Sequence, residues 1–234
     1  MTKRKIDQEQ TGSEVKIFNV PFALEENQEN LTVKTNSTSK EQIINQAIQF
    51  HLQGNIQEAS NYYQKCINLG FEDHRVFSNF GLILKSNGSL KNAEILLRKA
   101  IALKPNLAES HYNLGNILKD KGDIKQAEIA IKEAIELKPD LAVAHVNLGI
   151  ILKDLCKLQE AEMSYRKAIR LKPDCYEAHI NLGSILKDLD NLQEAEMSYR
   201  KAIKLEPDCY EAHINLGSIL KDLDNLQEAE MSYR

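Results

Sequence analysis

The chain has 234 residues, 42% of them hydrophobic and 27% charged, which is the composition of a water-soluble chain with enough apolar surface for a core. Its formal net charge of −4 and pI near 5.9 argue against a nucleic-acid partner, which needs a basic field. No apolar run approaches the roughly 20 residues of a membrane helix, and no apolar segment follows the basic start MTKRKIDQEQ to make a secretory signal, so a cytoplasmic location and no membrane partner are expected.

Residues 1–39 read as an N-terminal arm. EENQENLTVKTNSTSK is polar and rich in turn formers, and KIFNVPFAL is a short apolar island within it. Two readings stand for that island: a tail with a few sticky residues, or a strand that docks on the first repeat or on a partner.

From Lys40 the chain matches itself at a period of 34, in units 40–73, 74–107, 108–141, 142–175, 176–209 and a partial 210–234. The segment from Tyr176 to Arg200 recurs letter for letter from Tyr210 to Arg234. In the unit 108–141, Leu114, Gly115 and Leu118 have helical spacing. KGD then breaks the pattern, with Gly122 suited to a left-handed helix end. A second helix follows on Ile124, Ala127, Ile131, Ala134 and Ile135, and Pro139 stops it. Each unit is therefore expected to be two short antiparallel helices. Glycine recurs in the first helix at 81, 115, 149, 183 and 217. It costs about 1 kcal/mol against alanine there, so its recurrence predicts a close approach. Alanines 93, 127, 161, 195 and 229 in the second helix are the expected partners, small against small. One helix pair buries too little to stand alone, so the units must stack.

The pattern N-L-G-x-x-L…G-x…A-x-x-x-Y-x-K-A-I-x-L-x-P resembles the tetratricopeptide repeat family over residues 40–234. The resemblance implies an all-α fold, a right-handed solenoid of stacked antiparallel helix pairs. The sequence departs from the family at the fourth position, often aromatic there, where it has Ile43, Phe77, His111, His145, His179 and His213. The first unit is degenerate, with Ala47, Cys66 and Phe71 at the Gly, Ala and Pro positions, as suits a capping repeat.

On a wheel of about 100° per residue, the first helices turn a polar stripe away from their packing side, toward the expected concave groove. Asparagine occupies it at 45, 79, 113, 147, 181 and 215. An amide both donates and accepts, as an extended peptide backbone requires. The groove residues expected to bind a peptide are Asn79, Asn113, Asn147, Asn181 and Asn215, with Asp120, Asp154, Asp188 and Asp222 as an acidic run along its edge. The alternative is that the asparagines bond within the array, tying one first helix to the next, and that the aspartates are solvated helix ends. With NLG-x-x-LKD, the ladder is similar to the repeat arm of O-linked N-acetylglucosamine transferases. That resemblance implies asparagines that hold the backbone of protein substrates.

The histidine series invites a metal reading, but successive copies of one helix stand too far apart to share an ion, so these read as packing residues. Tyr165, Tyr199 and Tyr233 read as core, and Met163, Met197 and Met231 as outward-facing. No nucleophile-elbow, P-loop or zinc-protease motif occurs, so no catalytic residue, metal or cofactor is expected. The expected function is a non-enzymatic scaffold that binds an extended protein or peptide partner. The alternative is the substrate-recognition arm of a larger glycosyltransferase or sulfotransferase. The stop at Arg234, inside the second helix of a unit, reads as a fragment boundary, with self-association through the open last repeat as a further expectation.

Overall fold

A computed structural model describes residues 36–223, with 225, 226, 229 and 231. The apolar island of the arm and Tyr233 lie outside the described residues. The described residues form helices and turns and no strand. In chain order the helices are α1 (Asn36–Leu52), α2 (Ile56–Asn68), α3 (His74–Ser86), α4 (Leu90–Leu103), α5 (Ala108–Asp120), α6 (Ile124–Leu137), α7 (Ala142–Asp154), α8 (Leu158–Leu171), α9 (Tyr176–Asp188), α10 (Leu192–Leu205) and α11 (Tyr210–Asp222).

The helix limits follow from local chemistry. Asp73 and Asp123 cap α3 and α6 by accepting from the backbone N–H of Arg75 and Gln126. The helices α4, α6, α8 and α10 each end two residues before a proline, at Leu103, Leu137, Leu171 and Leu205. Between the two helices of a unit the chain passes through one left-handed residue. It is Gly54, Gly88 and Gly122 in three units, but Cys156 (φ 58°) and Asp190 (φ 62°) in the next two. A side chain is strained there by roughly 1 kcal/mol or more. Cys156→Gly is therefore expected to raise the melting temperature, with a gain of about 1 kcal/mol in a denaturant titration. An unchanged midpoint would mean that the turn carries no strain.

Each helix packs on the next, and successive first helices also touch: α3 on α5, α5 on α7, α7 on α9 and α9 on α11. Among the described residues no second helix packs on the next second helix to that extent. The stack is an all-α solenoid with α1, α3, α5, α7, α9 and α11 along its inner side. Its core forms two clusters, one from α1 to α3 and one from α4 onward, with Leu84 packed against both.

The glycines sit at the closest helix approach, but their partner differs from the expected alanine. The alanines are buried, while the atoms nearest the glycines belong mainly to a larger residue four positions further along the second helix. A Cβ on Gly149 would lie 2.5 Å from the Tyr165 ring, and one on Gly183 would lie 2.8 Å from Tyr199. At Gly115 it would meet Ile131 at 2.7 Å, and at Gly81 Leu97 and the Ala93 carbonyl at 3.3 Å. The packing is large into small, with each ring or branched chain seated in the notch where a first helix has no side chain. Tyr63, Tyr165 and Tyr199 are fully buried, and burial holds their hydroxyls far above the ordinary phenol range.

Candidate functional site: the inner face

The asparagine ladder divides along the array. Asn79, Asn113 and Asn147 are 0%, 5% and 2% exposed, not solvent-facing as the wheel implies. The wheel treats a helix as isolated, whereas each inner helix is flanked by two others that cover part of its polar stripe. Asn147 on α7 reaches back to α5, where its Nδ2 donates to the Tyr112 hydroxyl at 3.2 Å and to Asn116 Oδ1 at 2.6 Å. Burial pushes the Tyr112 hydroxyl up to about 12, opposed in part by its bonds to Asn116 and Asn147. Asn79 meets the Tyr63 hydroxyl, which also lies 3.4 Å from His51 Nδ1. Next to Asn79, the Ser78 hydroxyl bonds that of Ser110 at 2.7 Å in a buried pair that ties α3 to α5.

Asn181 and Asn215 are half-buried, and within the described residues neither makes a hydrogen bond. The cause is visible in the sequence once the contact is known. The positions that supply Tyr112 and Asn116 to Asn147 hold Val146 and Ile150 one unit later, and Ile180 and Ser184 one unit after that. Valine and isoleucine offer no polar atom. Ser184 is already engaged, because Lys153 Nζ donates to its Oγ at 2.7 Å.

The aspartates do not form an acidic run. Lys85 pairs with Asp120 at 3.2 Å, Lys153 with Asp188 at 3.6 Å and Lys187 with Asp222 at 3.9 Å, each lysine reaching the next unit. Lys187 Nζ also donates to Ser218 Oγ at 2.8 Å. Asp154 is exposed and has no such pair among the described residues. The aspartate edge is thus largely neutralised in place. The pairs at Lys153 and Lys187 are exposed enough that water screens them, so each contributes little to stability.

The histidines hold the turns between units. Nε2 of His111, His145, His179 and His213 lies 2.8, 3.0, 3.1 and 2.9 Å from the carbonyl oxygens of Pro105, Pro139, Pro173 and Pro207. The contact requires the neutral tautomer with its proton on Nε2, or the cation. Burial lowers the pKa of His145 and His179. The proline carbonyls oppose that shift, and nearby Lys167 and Arg170 at His145, and Lys201 at His179, add to it. A lowered folded pKa means that the folded state binds fewer protons. The stability contributed by these two groups is therefore present above the free value of about 6.5 and is lost as pH falls below it. The urea midpoint is expected to drop between pH 7 and 5, and the drop to shrink in His145→Gln/His179→Gln. An undiminished drop would place the acid sensitivity elsewhere.

Cys66 and Cys175 are buried free thiols, and burial raises each to about 11. Among the described residues no cluster of histidine, cysteine and carboxylate has the geometry of a metal site, and no helix is long and apolar enough to cross a membrane.

A family model described as tetratricopeptide repeat matches residues 108–141, 142–175, 176–209 and 210–234, and a second model, TPR repeat, matches 81–122. No curated protein sequence matches the chain. Solved structures share the fold. That of Pseudomonas aeruginosa pilF is 17% identical with a TM-score of 0.74, covering 86% of this chain and 90% of its own. YrrB, described as a TPR protein with an unusual peptide-binding site, is 24% identical with a TM-score of 0.62, over 73% of this chain and 88% of its own. MamA from Desulfovibrio magneticus RS-1 is 21% identical with a TM-score of 0.64, over 68% and 90%.

Proposed function

Since this chain belongs to the tetratricopeptide repeat family, we propose that it is a non-enzymatic interaction module that binds an extended peptide on its inner face, at the C-terminal half of the asparagine ladder. The observation that carries the reading is the state of Asn181 and Asn215. Each presents an amide on an inner helix, partly open to solvent, with no hydrogen bond of its own. An amide satisfied by nothing in the array can exchange water for the donor and acceptor of a peptide unit at little net cost. Asn147 has no such freedom, because its amide is already bonded twice. The lysine–aspartate pairs beside them supply both charges, which favours a polar ligand over a strongly basic one.

Peptides selected from a displayed random library are expected to lose about tenfold in affinity on Asn181→Ala/Asn215→Ala, at unchanged helix content. If no peptide is captured, or if the double variant binds as the parent does, the inner face is not the site. The similarity of NLG-x-x-LKD to the arm of O-linked N-acetylglucosamine transferases favours a second reading, in which the same face presents protein substrates to a glycosyltransferase or sulfotransferase domain. Sequencing the full transcript tests it: the reading requires an open frame that continues into such a domain.

A further inference from the structure

The outer surface holds a second recurring feature. Between neighbouring second helices runs a trough whose floor is the first helix beneath them. Between α8 and α10 it has a volume of about 590 Å³, with Leu182 and His179 at the floor and Ile169 and Met197 on the walls. Between α4 and α6 the same positions enclose about 430 Å³, with Leu114 and His111 below and Ile101 and Ile129 on the walls. An exposed apolar residue stands at one position of α4, α6, α8 and α10: Ile95, Ile129, Met163 and Met197. The shape and the apolar lining are therefore common to these two troughs.

The charge is not. Two positions on the trough walls are Ala102 and Glu133 between α4 and α6, and their equivalents one unit later are Glu136 and Lys167. Between α8 and α10 they are Arg170 and Lys201. At these two positions the charge thus changes from one negative, through one of each sign, to two positive along the array. Arg166 beside them is engaged by Glu162 at 2.9 Å and Glu194 at 2.6 Å. Arg170 and Lys201 are exposed and have no ion pair or hydrogen bond among the described residues. Two unpaired cations on the walls of one trough give it a positive field that attracts an anion. The methionine on the wall offers a flexible, polarisable apolar surface that adapts to a side chain of unspecified shape.

We infer that the α8–α10 trough is a second binding site, whose occupant is an acidic peptide with an apolar anchor: carboxylates meet Arg170 and Lys201 while the anchor lies on Ile169, Leu182 and Met197. This site is on the opposite side of the array from Asn181 and Asn215 and stands independently of the inner-face reading.

The test uses the full chain and a fluorescein-labelled peptide DELFDE, read by anisotropy. DELFDE is expected to bind one site, more tightly at low than at high salt, while KRLFKR and the anchorless DESSDE do not. Arg170→Ala/Lys201→Glu gives these two positions the side chains they carry in the α4–α6 trough, and is expected to weaken DELFDE by about tenfold or more. The reciprocal Ala102→Arg/Glu133→Lys is expected to add a second equivalent site. Asn181→Ala/Asn215→Ala should leave DELFDE binding unchanged, which separates the two faces. Equal binding of KRLFKR, stronger binding of an oligothymidylate, or unaltered affinity and stoichiometry in both charge-swapped variants would overturn the proposal.

Discussion

Gly149→Ala is expected to destabilise the array by about 1–3 kcal/mol, more than the same change at any ordinary helix position, where alanine stabilises. The added Cβ would lie 2.5 Å from the Tyr165 ring, and that ring is almost wholly buried between α7 and α8. It cannot swing into solvent, so either the helices separate or the ring leaves its rotamer. The order of effects is also specified. Gly81→Ala meets Leu97 and the Ala93 carbonyl only at 3.3 Å and should be the mildest of the series. Tyr165→Leu in the Gly149→Ala background copies the side chain that faces Gly81, and should recover part of the loss. That gives a coupling of at least about 0.5 kcal/mol between the two sites. Denaturant titration of the four proteins in that cycle measures it. A parent-like Gly149→Ala would refute the close approach, and additive effects would show that Tyr165 is not the residue that sets it.

Asn147→Leu is expected to cost about 1–3 kcal/mol of stability, whereas Asn181→Leu should be near neutral. The two residues occupy the same position of neighbouring units, so propensity and wheel position are equal and only their surroundings differ. Removing Asn147 takes the amide donor from Asn116 Oδ1 and one of the two side-chain bonds from the Tyr112 hydroxyl, in a buried setting. Removing Asn181 leaves nothing orphaned, because Val146 and Ile150 lie where those groups would be. Thermal melts of the two variants in parallel decide the point. Equal losses would mean that the hydrogen bonds of Asn147 contribute nothing beyond the packing of the side chain.

The contrast shows how much of the inner face can be read from letters alone. The ladder itself is plain in the sequence, as is the polarity of its edge. That Asn147 is bonded and Asn181 is free depends on side chains 31 and 35 positions away, which come into contact only when one inner helix lies against the next. The lysines were visible too, one residue before each aspartate, yet a lysine does not pair with its neighbour in sequence. Lys153 reaches Asp188 in the next unit and removes the acidic character expected of that edge. The fourth-position histidines read as packing, and they are half-buried or buried in the main. Their hydrogen bond to a proline carbonyl six residues back was within reach of the sequence, since both residues recur at fixed spacing.

What this chain's sequence determined by itself is what is set within one unit: the period of 34, the break between the two helices, the stop before proline, the glycine notch and the repeat family, whereas α1 begins at Asn36, inside the arm expected over 1–39. These rest on backbone hydrogen bonding, on proline's missing donor and on the spacing of apolar residues, all of which act over a few positions. The tertiary structure alone decided which residue fills the notch: Leu97, Ile131, Tyr165 or Tyr199, four positions past the expected alanine. It also decided which asparagines the array consumes, and which trough is left with two unpaired cations. Those outcomes depend on the distance and angle at which neighbouring helices meet. In a stack of near-identical units, the same letter then acquires a different role according to the neighbour it meets.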